Sequence, residues 1–150
     1  MIIIGDKIVK FEPFNEIKNM SQISKFDNLL FNFDRQKIIL AQNFNKIFSV
    51  RTNSINEILI ANAAGAKFIV VNFKTAKTAQ ELAEKYLFDA KIAVYLHFER
   101  NLKKLAQIGV DAAILSPGIN RVDSTVSAIT SKFKNLKLPN LLKFKKNTQK

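Results

Sequence analysis

The chain has 150 residues, nearly half of them apolar, with no cysteine, one histidine and a formal net charge of +12. That length predicts a single domain with a sizeable core. The missing cysteines exclude disulfides, zinc thiolates and a cysteine nucleophile, and His97, standing alone, excludes a multi-histidine metal site.

The opening MIIIGDKIVKF has neither the basic start nor the long apolar stretch of a signal peptide. No apolar run reaches the roughly 18 residues of a membrane span. The expectation is a cytoplasmic protein, and the abundance of Lys, Asn, Ile and Phe points to an AT-rich bacterial genome. Gly5-Asp6 reads as the two-residue turn of a short N-terminal β-hairpin. Residues 12–26 read as irregular or weakly helical, with Pro13 opposing a strand.

From residue 28 the pattern becomes regular. An apolar strand (28–33) is followed by a helix (34–44) capped by Asp34. A strand (46–50) leads to a helix (54–65) whose Ser54 and Glu57 have the spacing of a capping box, with Gly65 as its terminator. A strand (67–71) precedes a helix (75–88) with apolar residues at helical spacing. Then come a strand (91–96), a helix (100–109) closed by Gly109, and a strand (111–115). After Ser116-Pro117-Gly118, residues from Asn120 onward predict a last amphipathic helix, with Val122, Val126, Ile129 and Phe133 on one face.

Apolar strands alternating with helices predict an α/β fold. The sheet is expected to be mostly parallel, of about five strands built from repeated βα units, half-barrel-like or open, with the hairpin at its start. Such a sheet exposes apolar edges, which the hairpin or a second copy of the chain would cover, so a homodimer is expected. Residues 1–129 are taken as the domain and 130–150 as a basic tail, since the tail holds seven lysines and no acid.

Ligands of parallel α/β sheets bind beyond the carboxyl ends of the strands. Here those ends offer Asn32 and Asp34, Arg51 and Thr52, Asn72 and Lys74, His97 and Glu99, and Ser116 and Gly118. Arg51 is the candidate clamp for a phosphate or carboxylate. Lys74, Ser116 and the backbone N–H groups around Gly118 are further candidate anion ligands. His97 and Glu99 are the only candidates for proton transfer. No phosphate-loop, dinucleotide or nucleophile-elbow motif occurs, so neither a cofactor nor a metal is expected.

The stretch GAKFIVVNF…KIAVYLHFE…GVDAAILSPGI resembles the second half of small phosphate-binding (β/α) barrels, including the keto-deoxy-phosphogluconate aldolases. The resemblance covers about 55 residues and implies a barrel-type sheet. The Schiff-base lysine of those aldolases falls on Ile114, so their chemistry is not carried across. The PGI ending is also similar to the barrel-like glycerol-operon antiterminators, with no residue carried over. The tail interleaves lysines with Phe133, Leu136, Leu138, Leu141, Leu142 and Phe144, a composition shared by single-strand nucleic-acid binders and interfacial membrane segments.

With no catalytic motif, the leading expectation is a non-catalytic interaction or ligand-sensing protein. The alternatives are an enzyme acting on a small phosphorylated or carboxylated metabolite at the strand ends, and an RNA- or membrane-associating regulator using the tail.

Overall fold

The computed structural model describes residues 1–122. Over that span the chain alternates strands with helices. The strands are β1 (Ile2–Ile4), β2 (Phe14–Glu16), β3 (Leu29–Asn32), β4 (Phe48–Arg51), β5 (Phe68–Val71), β6 (Lys91–Leu96), β7 (Ala112–Leu115) and β8 (Ile119–Arg121). The helices are α1 (Arg35–Asn43), α2 (Ile55–Ala63), α3 (Phe73–Lys85) and α4 (Leu102–Ile108), one after each of β3 to β6. No helix among the described residues is long and apolar enough to cross a membrane.

All eight strands join one parallel sheet in the order β1-β7-β6-β5-β4-β3-β2-β8. The fold class read from the sequence therefore holds, with eight strands in place of about five. The order also dictates curvature. Strands β7 and β8 are separated by only three residues, yet six strand spacings lie between them in the sheet. Laid flat, that gap would be about 29 Å, whereas four residue steps reach at most about 15 Å. The sheet must curl until its edges approach. They meet where Gly5 follows β1 and Gly118 precedes β8. A Cβ on Gly118 would lie 2.9 Å from the Ile4 carbonyl oxygen, and one on Gly5 2.6 Å from the Leu115 carbonyl oxygen.

The N-terminal hairpin is not formed. β1 pairs in parallel with β7, and residues 7–11 are not a strand. Gly5 takes φ +112° at the seam just described. After it, the Asp6 side chain accepts from the Ile8 N–H in a local turn, so the chain does not fold back. The segment read as irregular contains β2, which Pro13 immediately precedes without interrupting. Asn120 lies in β8 and does not cap a helix. The remainder of that expected helix, the 129/130 boundary and the lysine-rich tail lie outside the described residues.

Alternation along each strand sorts side chains into two layers. Facing outward, Leu29, Phe31, Val50, Ile69, Ile92 and Val94 pack against Ile38, Ile58, Ala61, Ala76, Ala79 and Leu105 of the helices. Facing inward, Ile4, Phe14, Leu30, Phe68, Val70, Ala93, Ala112, Ile114 and Ile119 fill the interior. Phe14 and Phe68 meet edge to face with centroids 5.5 Å apart, beside the small Ala93 and Ala112 that leave room for them.

The expected caps are present. Asp34 accepts from the Gln36 and Lys37 N–H groups. Ser54 accepts from Glu57 N–H, while the Glu57 carboxylate binds the Thr52 hydroxyl and leaves the reciprocal half of the box unmade. Asn72 caps α3 by accepting from Thr75 N–H, which starts that helix two residues earlier than expected.

Candidate functional site

Because the strands are parallel, their carboxyl ends share one rim. The inward positions there continue the apolar interior columns by two residues. Phe14 is followed by Glu16, Leu30 by Asn32, Val70 by Asn72, Ala93 by Tyr95 and then His97, and Ile119 by Arg121. On β4 the column runs from buried Ser49 to Arg51. These polar ends line a cavity of about 510 Å³, with Val70 and Ile119 among its apolar walls and Asn53 at its edge. That volume lies in the range of small-molecule sites.

The cavity is organised around one acid and two arginines. Arg51 Nη2 donates to Glu16 Oε2 at 2.6 Å, and Arg51 Nη1 donates to Asn32 Oδ1 at 2.8 Å. Arg121 Nη1 stands 3.5 Å from the other Glu16 oxygen. The Glu16 side chain is 13% exposed, Arg51 34% and Arg121 58%. Arg51 is thus held as a rigid fork between two strands, whereas Arg121 makes a longer contact and is open to the cavity. With His97 neutral, the charged groups lining the cavity sum to one positive charge.

Opposite this cluster, Tyr95 and His97 stand edge to face with centroids 5.0 Å apart. Just outside, Arg100 lies over the Phe98 ring at 4.3 Å. Among the described residues no group of three or more His, Asp or Glu is arranged to hold a metal ion.

Of the residues anticipated from the sequence, Arg51, Asn32, Asn72 and His97 meet in this cavity. Glu99 does not. The chain leaves β6 and enters a short 3-10 turn at Glu99–Asn101, so Glu99 is exposed and no longer alternates with His97. Lys74 sits in the first turn of α3, exposed and away from the cavity lining. Ser116 is exposed in the 3-10 turn between β7 and β8. Gly118 is buried against Ile4, and the backbone continues from it into a strand, so it does not begin a helix that could receive a phosphate. Arg51 lines the cavity, but its two Nη atoms are engaged with Glu16 and Asn32, so it does not stand open as a clamp.

Glu16, Tyr95, Asn53 and Arg121 were not anticipated. Tyr95 was findable, since it lies two residues before His97 on the same strand face. Glu16 and Arg121 lie on three-residue strands, too short to display alternation.

No protein-family model matches this chain, and no curated protein matches it.

Proposed function

We propose that this chain is a ligand-binding α/β protein that senses a small organic anion at the mouth of its curled sheet. The observation that carries this reading is the meeting of Arg51 and Arg121 on the single carboxylate of Glu16, which leaves the cavity one positive charge in excess. Arg51 positions Glu16 and Asn32, and Arg121 is the residue open to an incoming carboxylate or phosphate. The mouth volume suits a metabolite-sized molecule better than an inorganic ion. The resemblance to phosphate-binding barrels points to the same rim.

The test is thermal unfolding of the full chain with a panel of carboxylated and phosphorylated compounds. A ligand at 100-fold its Kd adds about 2.7 kcal/mol, and each kcal/mol raises Tm by roughly 2–4 °C at this size. At least one class should raise Tm, and Arg121→Ala should remove the rise. No shift with any anion would sink the reading.

A further inference from the structure

The mouth has an uneven supply of hydrogen-bonding groups. Asn32 Oδ1 accepts from Arg51 Nη1 at 2.8 Å, Asn53 Oδ1 from Asn72 N–H at 2.8 Å, and Asn72 Oδ1 from Thr75 N–H at 3.0 Å. Each partner is an N–H group, which fixes which end of each carboxamide is the oxygen. Each of the three oxygens therefore already accepts one hydrogen bond from the protein. The matching Nδ2 groups donate to no protein acceptor among the described residues. The oxygens of Glu16, the one carboxylate in the cavity, face Arg51 and Arg121. Only the Tyr95 hydroxyl and the His97 ring can act either way.

We propose that this donor-rich mouth selects anions whose remaining polar groups are also acceptors, with a short dicarboxylate as the fitting class. The inference rests on the anion-binding reading above. One carboxylate meets Arg121 beside Glu16, and the second meets the amide N–H groups of Asn53 and Asn72, across the mouth on the ends of β4 and β5. A ligand ammonium would enter beside two guanidinium groups, where each carboxamide oxygen already accepts one N–H and the single carboxylate is shared by both arginines. Each hydrogen bond that the ammonium gives up on leaving water and does not regain costs about 1–3 kcal/mol.

The experiment compares succinate, L-malate and L-aspartate, which differ only by H, OH or NH3+ on one carbon, with inorganic phosphate as a fourth probe. Binding to the full chain is measured by calorimetry. Succinate and malate should bind within about threefold of each other, and aspartate at least about tenfold more weakly, the factor that 1.4 kcal/mol represents. Asn72→Ser and Asn72→Asp both keep a competent helix cap and remove the Nδ2 donor. Each should weaken succinate binding while leaving the ligand-free Tm within a few degrees, and the aspartate variant should lose more through added negative charge. Aspartate binding as tightly as succinate, or an unchanged succinate affinity in Asn72→Ser, would overturn the donor-acceptor inference alone. Phosphate binding without any dicarboxylate would overturn the assigned class. No binding by any of the four would remove both the inference and the anion-binding reading beneath it.

Discussion

Arg51 reaches over β3 to place its Nη2 2.6 Å from Glu16 Oε2, joining β4 to β2 across the strand that lies between them. Asn32 of that intervening strand takes the other Nη. Three neighbouring strand ends are thereby tied by one side chain. Arg51→Ala and Glu16→Ala should each cost about 1–2 kcal/mol, less than a fully buried pair because Arg51 is partly open to water. The double variant should cost clearly less than the sum, which urea unfolding of the four proteins would show. Strict additivity would mean that the contact contributes nothing.

The seam between β1 and β8 depends on glycine. Gly5 combines φ +112° with the 2.6 Å approach that a Cβ would make to the Leu115 backbone oxygen. Gly65 has a similar φ of +97°, but nothing lies within 4 Å of its absent Cβ. Gly65→Ala should therefore cost about 1 kcal/mol, from the backbone alone. Gly5→Ala should cost distinctly more, because backbone must move as well. Equal losses in chemical denaturation would show that the seam has slack.

The interior aromatic pair sets a third expectation. Phe14 is 1% exposed and Phe68 is 7% exposed, and both occupy the inner layer. Phe14→Ala should cost about 3–5 kcal/mol. Phe14→Leu should cost much less, since it keeps most of the volume. A small loss for the alanine variant would mean that the interior collapses around the gap.

A fourth expectation concerns the opposite rim. Asp111, just before β7, accepts from the Ile92 N–H at 2.9 Å and from Gln80 Nε2 at 3.1 Å, and its own N–H donates to Gln80 Oε1 at 3.1 Å. Gln80 is 5% exposed. Gln80→Ala orphans two of these groups and should lower stability by about 1–3 kcal/mol. Because the latch is remote from the mouth, ligand affinity should stay unchanged, which calorimetry on the same variant would check.

Strands from β3 to β7 were legible because each is a run of four to six largely apolar residues buried on both faces, and each gap between them holds a helix with recognisable ends. β2 and β8 were not. Each has three residues; they pair with each other, and β2 pairs also with β3, and that partnership, more than local pattern, makes them strands. The site divides along the same line. Asn32, Arg51, Asn72 and His97 end legible strands and were found. Glu16 and Arg121 end the two illegible ones and were missed, although they hold two of the three charges in the ion cluster. Lys74 was misplaced because the Asn72 cap begins α3 immediately after β5, which carries that lysine onto the helix.

The pairing of β2 with β8 also has a consequence for biosynthesis. Asn15 and Asn120, hydrogen-bonded across this pair, are 105 positions apart. At 5–20 residues per second, roughly 5 to 20 s separate their emergence from the ribosome. During that interval β2 has β3 on one side and a bare edge on the other, and Glu16 faces Arg51 without its second arginine. The cavity at the strand ends therefore stays incomplete in the nascent chain until translation has passed Arg121, and nothing that needs both arginines can take part in the earlier stages of folding.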